Sequence, residues 1–379
     1  MADTIFKSEK ESNRFKMNIL RANMESLNTK DLSLAIINND IDLTILRIPS
    51  ENTSQISKLE TLGFSYYQTD TLVYYYVNFE DYLPKALKNN DISFRIATLN
   101  DSNIISNMVD QIFPGYTNHY NSNPFIDKQN ILEGYKEWVL DFIEKENKYV
   151  FLVIKSGKNV GFATCSILKD EAEGVLYGVL PGFAGGGIYS DIIRYTQQFM
   201  KDIGIRKMKV STQVQNYAVQ KVWSREGFFM LKSFATIHIN SLLNHTCIPK
   251  INFDIFITDD DIKNYGTLSG DINPVHFNDN FAKSIGFNKK IAHGLIANAE
   301  MSKYFGMEFP GNGTLFKSYY YKFIRPLYPN QKYRVIISTP YFDDLKNLYV
   351  CLVKIYDNEN NLCLLSNNHL IKKQQKNSL

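Results

Sequence analysis

The chain has 379 residues, enough for two or three compact domains, and 44% of them are apolar, as in an ordinary globular protein. Its 42 Lys and Arg against 39 Asp and Glu leave a formal charge of +3 with no basic stripe, which argues against nucleic acid as a partner. The N-terminus has no apolar run behind its basic residues, and the longest apolar run, LYVCLV at 348–353, is far too short to span a bilayer, so neither secretion nor a membrane partner is expected. Cys165, Cys247, Cys351 and Cys363 lie far apart without CxxC or Cys/His ligand spacing. They read as buried, reduced thiols of a cytoplasmic protein without a structural metal.

In chain order, a strand is predicted at 43–48, followed by a turn, a short helix, a stop at Gly63 and an aromatic β-rich run. The pattern restarts at Ile92 with a strand, a helix start at Asp101 and a helix. A loop, FPGYTNHYNSNPFID, leads to a helical run through Tyr135, Trp138 and Phe142. The runs YVFLVIK and VGFATCSIL meet at Ser156-Gly157-Lys158-Asn159, a hairpin signal. A strand VLYGVL enters PGFAGGG and a helix whose stripe is Ile188, Ile192, Tyr195 and Phe199, ending at Gly204. Strand MKVSTQV, helix AVQKVWSRE and strand FMLKSFATIHI close a mixed α/β unit near 240. A linker at about 241–250 precedes a domain with one main helix, about 293–305, and four long strands up to Ile371.

Three consecutive glycines between a strand and a helix leave bare backbone N–H groups at a helix N-terminus, an arrangement that suits a pyrophosphate. By itself it is equally a ligand-free glycine turn, and the loop comes too late in its domain for a dinucleotide fingerprint. VLPGFAGGGIYSDII nevertheless resembles the acyl-CoA pyrophosphate loop of the GNAT N-acyltransferases, and QVQNYAVQKVWSREGF resembles the later motif of that superfamily. The resemblance implies CoA contacts from Val179, Ala184, Gly185, Gly186, Gly187, Ile188 and Tyr189, with Asn216 on the pantetheine arm. More narrowly, HYNSNPFIDKQNILEGYKEWV and LTILRIPSENTSQISKLETLGF resemble the dTDP-fucosamine acetyltransferase branch, which acylates the amine of a nucleotide-linked deoxy amino sugar. The likeness covers roughly 30–240. Ala184 stands where the superfamily usually has Gln or Arg, and Trp223 where it usually has the Tyr that protonates the departing thiolate. An indole is not a useful acid, so Tyr217, a water, or no acid at all takes that step. His119 is the candidate base by residue type and titration range; otherwise it is a loop histidine that touches substrate or nothing.

YGTLSGDINPVHFNDNFA at 265–282 puts an Asp and a His five residues apart between Gly and Pro. The stretch resembles the MaoC-like (R)-specific enoyl-CoA hydratases, and hydrating an α,β-unsaturated thioester, as that likeness implies, needs one group to take a proton from water and another to supply one at the α carbon. Asp271 and His276 on one tight loop can hold a single water without a metal; otherwise the loop is only a helix cap with an exposed histidine. With IAHG at 291–294 and PGNGTLFKSYYYKFIRPLYPN, the resemblance spans about 250–373. That likeness implies a hotdog fold, usually paired two by two, in which Asn273 orients the pair and the Gly294 N–H receives the enolate oxygen. Asn330-Gln331 replaces the Gly-Asp frequent in relatives and touches only a turn.

The expected architecture is thus mixed α+β: a partial GNAT-like unit at 1–90, a GNAT N-acyltransferase domain at 91–240 and a MaoC-like hotdog domain at 250–373. The expected activity is acyl transfer from a coenzyme A thioester, most simply 3-hydroxybutanoyl-CoA, to the amine of a dTDP-linked amino sugar for surface polysaccharide. The hotdog domain either hydrates crotonyl-CoA to that donor or serves as a dimerisation and acyl-binding module. A hydratase or sensor with a non-catalytic GNAT half, or transfer to a peptide or antibiotic amine, are the alternatives. The expected partners are small molecules and a second copy of the chain, with no metal.

Overall fold

The computed structural model describes residues 3–244, 250–343 and 345–373, so Cys247 and half of the expected linker, 245–249, lie outside the described residues. Two compact units result: one runs through Lys58 and from Ser65 to Ser241, and the other comprises Leu59–Phe64 and the chain from Leu242.

The first unit begins with β1 (Thr4–Lys7), α1 (Glu9–Phe15), β2 (Ile19–Asn23), α2 (Thr29–Asn38), β3 (Leu43–Pro49) and β4 (Ser65–Asn78). It continues with β5 (Ile92–Ile96), α3 (Ser102–Ile112), α4 (Gln129–Leu140), β6 (Lys148–Lys155), β7 (Lys158–Leu168) and β8 (Glu171–Val179). It closes with α5 (Ile188–Asp202), β9 (Lys207–Gln213), α6 (Tyr217–Arg225) and β10 (Phe229–Asn240). The local signals act as expected. Ser156 and Gly157 both take positive φ, 49° and 76°, which matches the twist of the β6–β7 hairpin. Thr98 and Asp101 form a capping box just ahead of α3. Ile188, Ile192 and Met200 of α5 are buried against Phe151, Ala163 and Val210, and Tyr195 stacks on Phe94 at 4.0 Å.

All ten strands form one sheet, ordered β1-β2-β3-β10-β4-β9-β8-β7-β6-β5. The expected boundary at residue 90 is therefore crossed by the sheet. β10 inserts between β3 and β4, with Thr236 opposite both Arg47 and Asp70, so residues 1–90 and 91–240 share one hydrogen-bond ladder. No local pattern announces such pairing, because the partners are far apart in sequence.

One feature of the sheet creates the site. β8 and β9 run parallel, paired only from Glu171–Lys207 to Gly174–Val210, although β8 continues to Val179 and β9 to Gln213. Where pairing stops, β8 carries a bulge at Val175, pinned by Thr164, whose hydroxyl accepts from the Leu176 N–H and donates to the Leu176 carbonyl. A bulge bends its strand and ends pairing, so the two strands part and open a cleft in the sheet.

The second unit has β11 (Lys250–Ile257), α7 (Asp259–Ser269), α8 (Pro274–Phe277), α9 (Asp279–Ser284), α10 (Ile296–Met307), β12 (Thr314–Phe323), β13 (Gln331–Asp343), β14 (Leu348–Tyr356) and β15 (Leu362–Lys372). The strands form an antiparallel sheet, ordered β11-β13-β14-β15-β12. α10 lays Ile296, Ala297, Met301 and Phe305 on Val335, Ile337, Val353 and Ile355, the helix-on-sheet packing that a hotdog fold implies. The main helix and the four following strands match the expectation; β11 and α7 do not figure in it. Cys165, Cys351 and Cys363 are buried and free, and burial pushes their thiols up to about 12, 12 and 11, which keeps them protonated. Among the described residues, no helix is long and apolar enough to cross a membrane.

Candidate functional sites

The glycine loop opens directly onto α5. Gly185 and Gly187 take φ of 85° and 84°, in the left-handed region that side-chain-bearing residues avoid. Gly187 caps the helix with no side chain of its own, so the N–H groups of Ile188 and Tyr189 face outward without an intrahelical partner. Lys88 packs on the loop, its Cδ 3.0 Å from where a Cβ on Gly187 would sit. The buried Asp191 carboxylate holds this segment in place, accepting from the backbone N–H groups of Lys88 at 2.6 Å and Asn89 at 3.1 Å. A helix N-terminus and an ammonium thus converge where a pyrophosphate would lie. The cleft between β8 and β9 extends from this loop as a cavity of about 560 Å³, lined among others by Val179, Ala184, Tyr189 and Asn216.

A second cavity, of about 500 Å³, lies on the other side of the cleft, and Tyr116, Val175, Leu176, Ser211 and Thr212 line both. The Tyr116 hydroxyl donates to Gln213 Oε1 at 2.6 Å, and burial raises its phenol, so it stays protonated where the cavities meet. Tyr217, one of the expected proton donors, is 67% exposed and lines neither cavity. Trp223 is buried against Tyr75 and lines the first cavity as packing. Glu173 lines the second cavity; burial raises its carboxyl, while Lys209 at 3.7 Å works in the opposite direction.

His119 is buried and bonded, which corrects its expected role as a base. The Asn123 amide is oriented by its Oδ1, which accepts from the Phe125 N–H at 3.0 Å. Its Nδ2 therefore donates both to Asn240 Oδ1 at 2.9 Å and to His238 Nδ1 at 3.0 Å. His238 must then carry its proton on Nε2 and donate it to His119 Nδ1, 3.0 Å away. Burial pushes His119 well below the ordinary histidine range, with Arg21 adding to the effect, and brings His238 down to about 3. A neutral ring with Nδ1 already accepting has its proton on Nε2, so His119 is a donor and lacks the lone pair a base needs.

In the second unit, α7 ends at Gly270 (φ 76°) and the chain turns into the loop carrying Asp271. His276 Nδ1 lies 2.9 Å from the Ile291 carbonyl, which can only accept, so Nε2 presents its lone pair. Burial lowers the His276 imidazole below its ordinary range, favouring that neutral form. Nε2 lies 3.9 Å from Asp271 Oδ2, too far for a direct hydrogen bond and suited to one bridging water. Asn273 acts differently from expectation: its side chain caps Val275, and its backbone N–H donates to Asp271 Oδ1 at 3.1 Å. It sets the carboxylate, and touches the pair only through the backbone. Gly294 precedes α10 by one residue, Leu295; a Cβ there would meet the Phe323 ring at 2.5 Å, so only glycine fits. Among the described residues, its N–H has no acceptor.

His293 completes this site. It is 2% exposed, stacks on His276 with centroids 3.8 Å apart, and donates from Nε2 to the Asp271 carbonyl at 2.9 Å. Asp271, His276 and His293 offer ligand atoms within 4.8 Å of one another. A cation bound through His293 Nε2 would compete with the bond that nitrogen makes to the Asp271 carbonyl.

Residues 109–228 match the Acetyltransferase (GNAT) family, and residues 248–350 match the MaoC like domain. The chain carries a GNAT acetyltransferase domain and a MaoC-like domain. The mitochondrial 3-hydroxyacyl-acyl-carrier-protein dehydratase of Arabidopsis thaliana is 25% identical over 141 residues, 37% of this chain and 82% of that protein. The (R)-specific enoyl-CoA hydratase of Rhodospirillum rubrum is 34% identical over 71 residues, 19% of this chain and 49% of that protein, so the chain spans about half of that relative. A GCN5-related N-acetyltransferase from Sphaerobacter thermophilus superposes with a TM-score of 0.43 at 12% identity, covering 62% of this chain and 75% of that one.

Within the GNAT domain, Val179, Ala184, Gly185, Gly187, Tyr189 and Asn216 of the residues expected from sequence gather along one cavity; Gly186 does not line it, and the Ile188 side chain is buried in the core instead. Lys88 and Tyr116, absent from that expectation, gather there too. Within the MaoC-like domain, Asp271 and His276 converge, with Gly294 ahead of the helix, and His293 joins them from the IAHG stretch. Its position beside Gly294 was a signal the sequence carried.

Proposed function

We propose that the chain is an acyl-CoA-dependent N-acyltransferase that puts a 3-hydroxyacyl group, most simply 3-hydroxybutanoyl, on the amine of a dTDP-linked deoxy amino sugar. The observation that carries the transferase reading is the pair of cavities meeting at Tyr116, one ending on the glycine loop. A CoA thioester held by the loop and the β8–β9 cleft presents its carbonyl toward the second cavity. A neutral amine there attacks the carbonyl carbon, the C–S bond breaks, and Tyr116 protonates the departing thiolate. Glu173 is the carboxylate available to take the proton the amine loses. The resemblance of the 119–139 and 43–64 stretches to fucosamine-type enzymes favours a sugar amine.

The MaoC-like domain would supply the donor. A water between Asp271 Oδ2 and His276 Nε2 adds through oxygen to the β carbon of crotonyl-CoA while His276 takes its proton. The enolate oxygen accepts from the Gly294 N–H, and the imidazolium returns the proton to the α carbon, so water is added whole. Two copies of the chain would pair through this domain. β12 is an edge strand exposing Leu315, Tyr319 and Phe323, and exposed apolar side chains on an edge strand favour a partner. Mass spectrometry of products from a panel of nucleotide amino sugars, each with acetyl-CoA or 3-hydroxybutanoyl-CoA, tests the proposal. An acylated dTDP-amino sugar is the expected product. Transfer only to non-sugar amines would overturn the sugar reading, and no transfer to any amine would overturn the transferase.

A further inference from the structure

The second cavity of the GNAT domain has an unbalanced charge. Three of the carboxylates lining it are matched inside it: Glu11 with Arg21 at 2.5 Å, Glu137 with Arg14 at 2.6 Å, and Asp141 with Lys10. The fourth, Glu173, pairs with Lys209 at 3.7 Å from outside the lining. Two lining cations remain. Among the described residues, neither Arg47 nor Lys148 has a carboxylate partner.

Arg47 is the more telling. It lies on β3, half-buried, and its Nε is shielded from solvent with no hydrogen-bond partner. A guanidinium in that state is costly unless something supplies acceptors. The Asp70 carboxylate acts on it from a distance, but among the described residues no side chain makes a hydrogen bond or close ion pair with it. Arg21 is already clamped by Glu11, accepted at 2.7 and 2.5 Å, and by the Tyr120 hydroxyl at 2.8 Å. Burial and the Arg21 charge beside it weaken the hold of Arg47 on its proton more than Tyr74, Asp70 and Tyr120 strengthen it, so the Asp70 carboxylate near it only partly offsets its charge. One further donor faces the cavity. His119 keeps its free proton on Nε2, as its bond to His238 requires.

We propose that this cavity selects an acceptor amine carrying an anionic group, a phosphate or a carboxylate, and that Arg47 binds that group, with Lys148 as a secondary contact. The inference rests on reading the cavity as the acceptor side of an acyltransferase. A planar guanidinium matches either anion in a two-pronged geometry that an ammonium cannot reproduce. A diphosphate-linked sugar meets this requirement through its diphosphate, and an amino acid through its carboxylate.

The test titrates the full-length protein, with the donor site saturated by CoA, against inorganic pyrophosphate and dTDP in one arm and succinate in the other. One arm is expected to bind. Arg47→Met should then weaken that binding about tenfold to a hundredfold, as loss of a charge-assisted pair does, with Arg47→Lys between it and wild type. Lys148→Met, on the rim, should weaken it severalfold and guards against a folding defect in the first variant. Binding in the phosphate arm supports a nucleotide-linked acceptor; binding only in the succinate arm keeps the anion site and overturns the dTDP reading. Binding in neither arm, or equal binding by wild type and Arg47→Met, overturns the proposal. The CoA titration reads the acyltransferase assignment separately: if CoA fails to bind, that reading falls, and the Arg47 comparison in each arm still decides the anion site.

Discussion

Replacing His276 with Gln, and separately Asp271 with Asn, asks whether the Asp–His loop is a working water-activating pair. Gln keeps a donor for the Ile291 carbonyl but removes the Nε2 lone pair that faces Asp271 at 3.9 Å. Asn keeps an oxygen for the Asn273 N–H while removing the negative charge. The Asp271 side chain is 49% exposed, so its replacement should cost within about 0.5 kcal/mol of stability. Catalysis should suffer far more. A positioned acid–base group supplies roughly a hundredfold to ten-thousandfold, so each variant should add about 3 to 5 kcal/mol to the barrier. Because burial lowers the His276 imidazole, its neutral form persists below the ordinary histidine range. The rate should be flat from neutral pH upward and fall only in acid. The assay follows loss of the enoyl absorbance of crotonyl-CoA in each protein, with chemical unfolding to confirm the fold. Wild-type protein without hydratase activity, or either variant retaining more than about a tenth of it, would refute the reasoning.

Gly187→Val should raise the donor KM strongly and abolish calorimetric CoA binding, because a β-branched residue at φ 84° costs about 1–2 kcal/mol and collides with Lys88 at 3.0 Å. Unchanged affinity would disprove the loop assignment. Tyr116→Phe should lower kcat for acyl transfer about tenfold or more with little change in donor KM, since it removes only the proton for the thiolate. Burial brings His238 down from the ordinary 6.5 to about 3 and holds His119 beside it well below the ordinary range, so acid favours the unfolded chain. The stability of the GNAT domain should be complete above pH 6.5 and decline below it by up to about 2.7 kcal/mol per pH unit, two protons' worth, read by fluorescence from Trp138 and Trp223, both in that domain. Light scattering at micromolar concentration should report a dimer; a monomer would show that β12 is left uncovered.

Short-range chemistry was legible in the sequence. A Ser-Gly turn, a helix start at Asp101, a glycine run that tolerates left-handed backbone, and an Asp and a His five residues apart are set by neighbours along the chain. They predicted the loop on α5 and placed Asp271 close to His276; the helix-on-sheet fold of the MaoC-like domain was implied by its family resemblance. What required tertiary structure were facts that depend on distant strands. The entry of β10 between β3 and β4 merges 1–90 with the GNAT sheet, and the parting of β8 from β9 makes the cleft. Those pairings bring Lys88 to the glycine loop, Tyr116 to the meeting of two cavities, and Arg47 into one of them without a partner. The role of His119 was misread for the same reason. Residue type says only that an imidazole can titrate; which nitrogen holds the proton is decided by His238 and Asn123, more than a hundred residues apart in sequence, and by the burial the fold imposes on them.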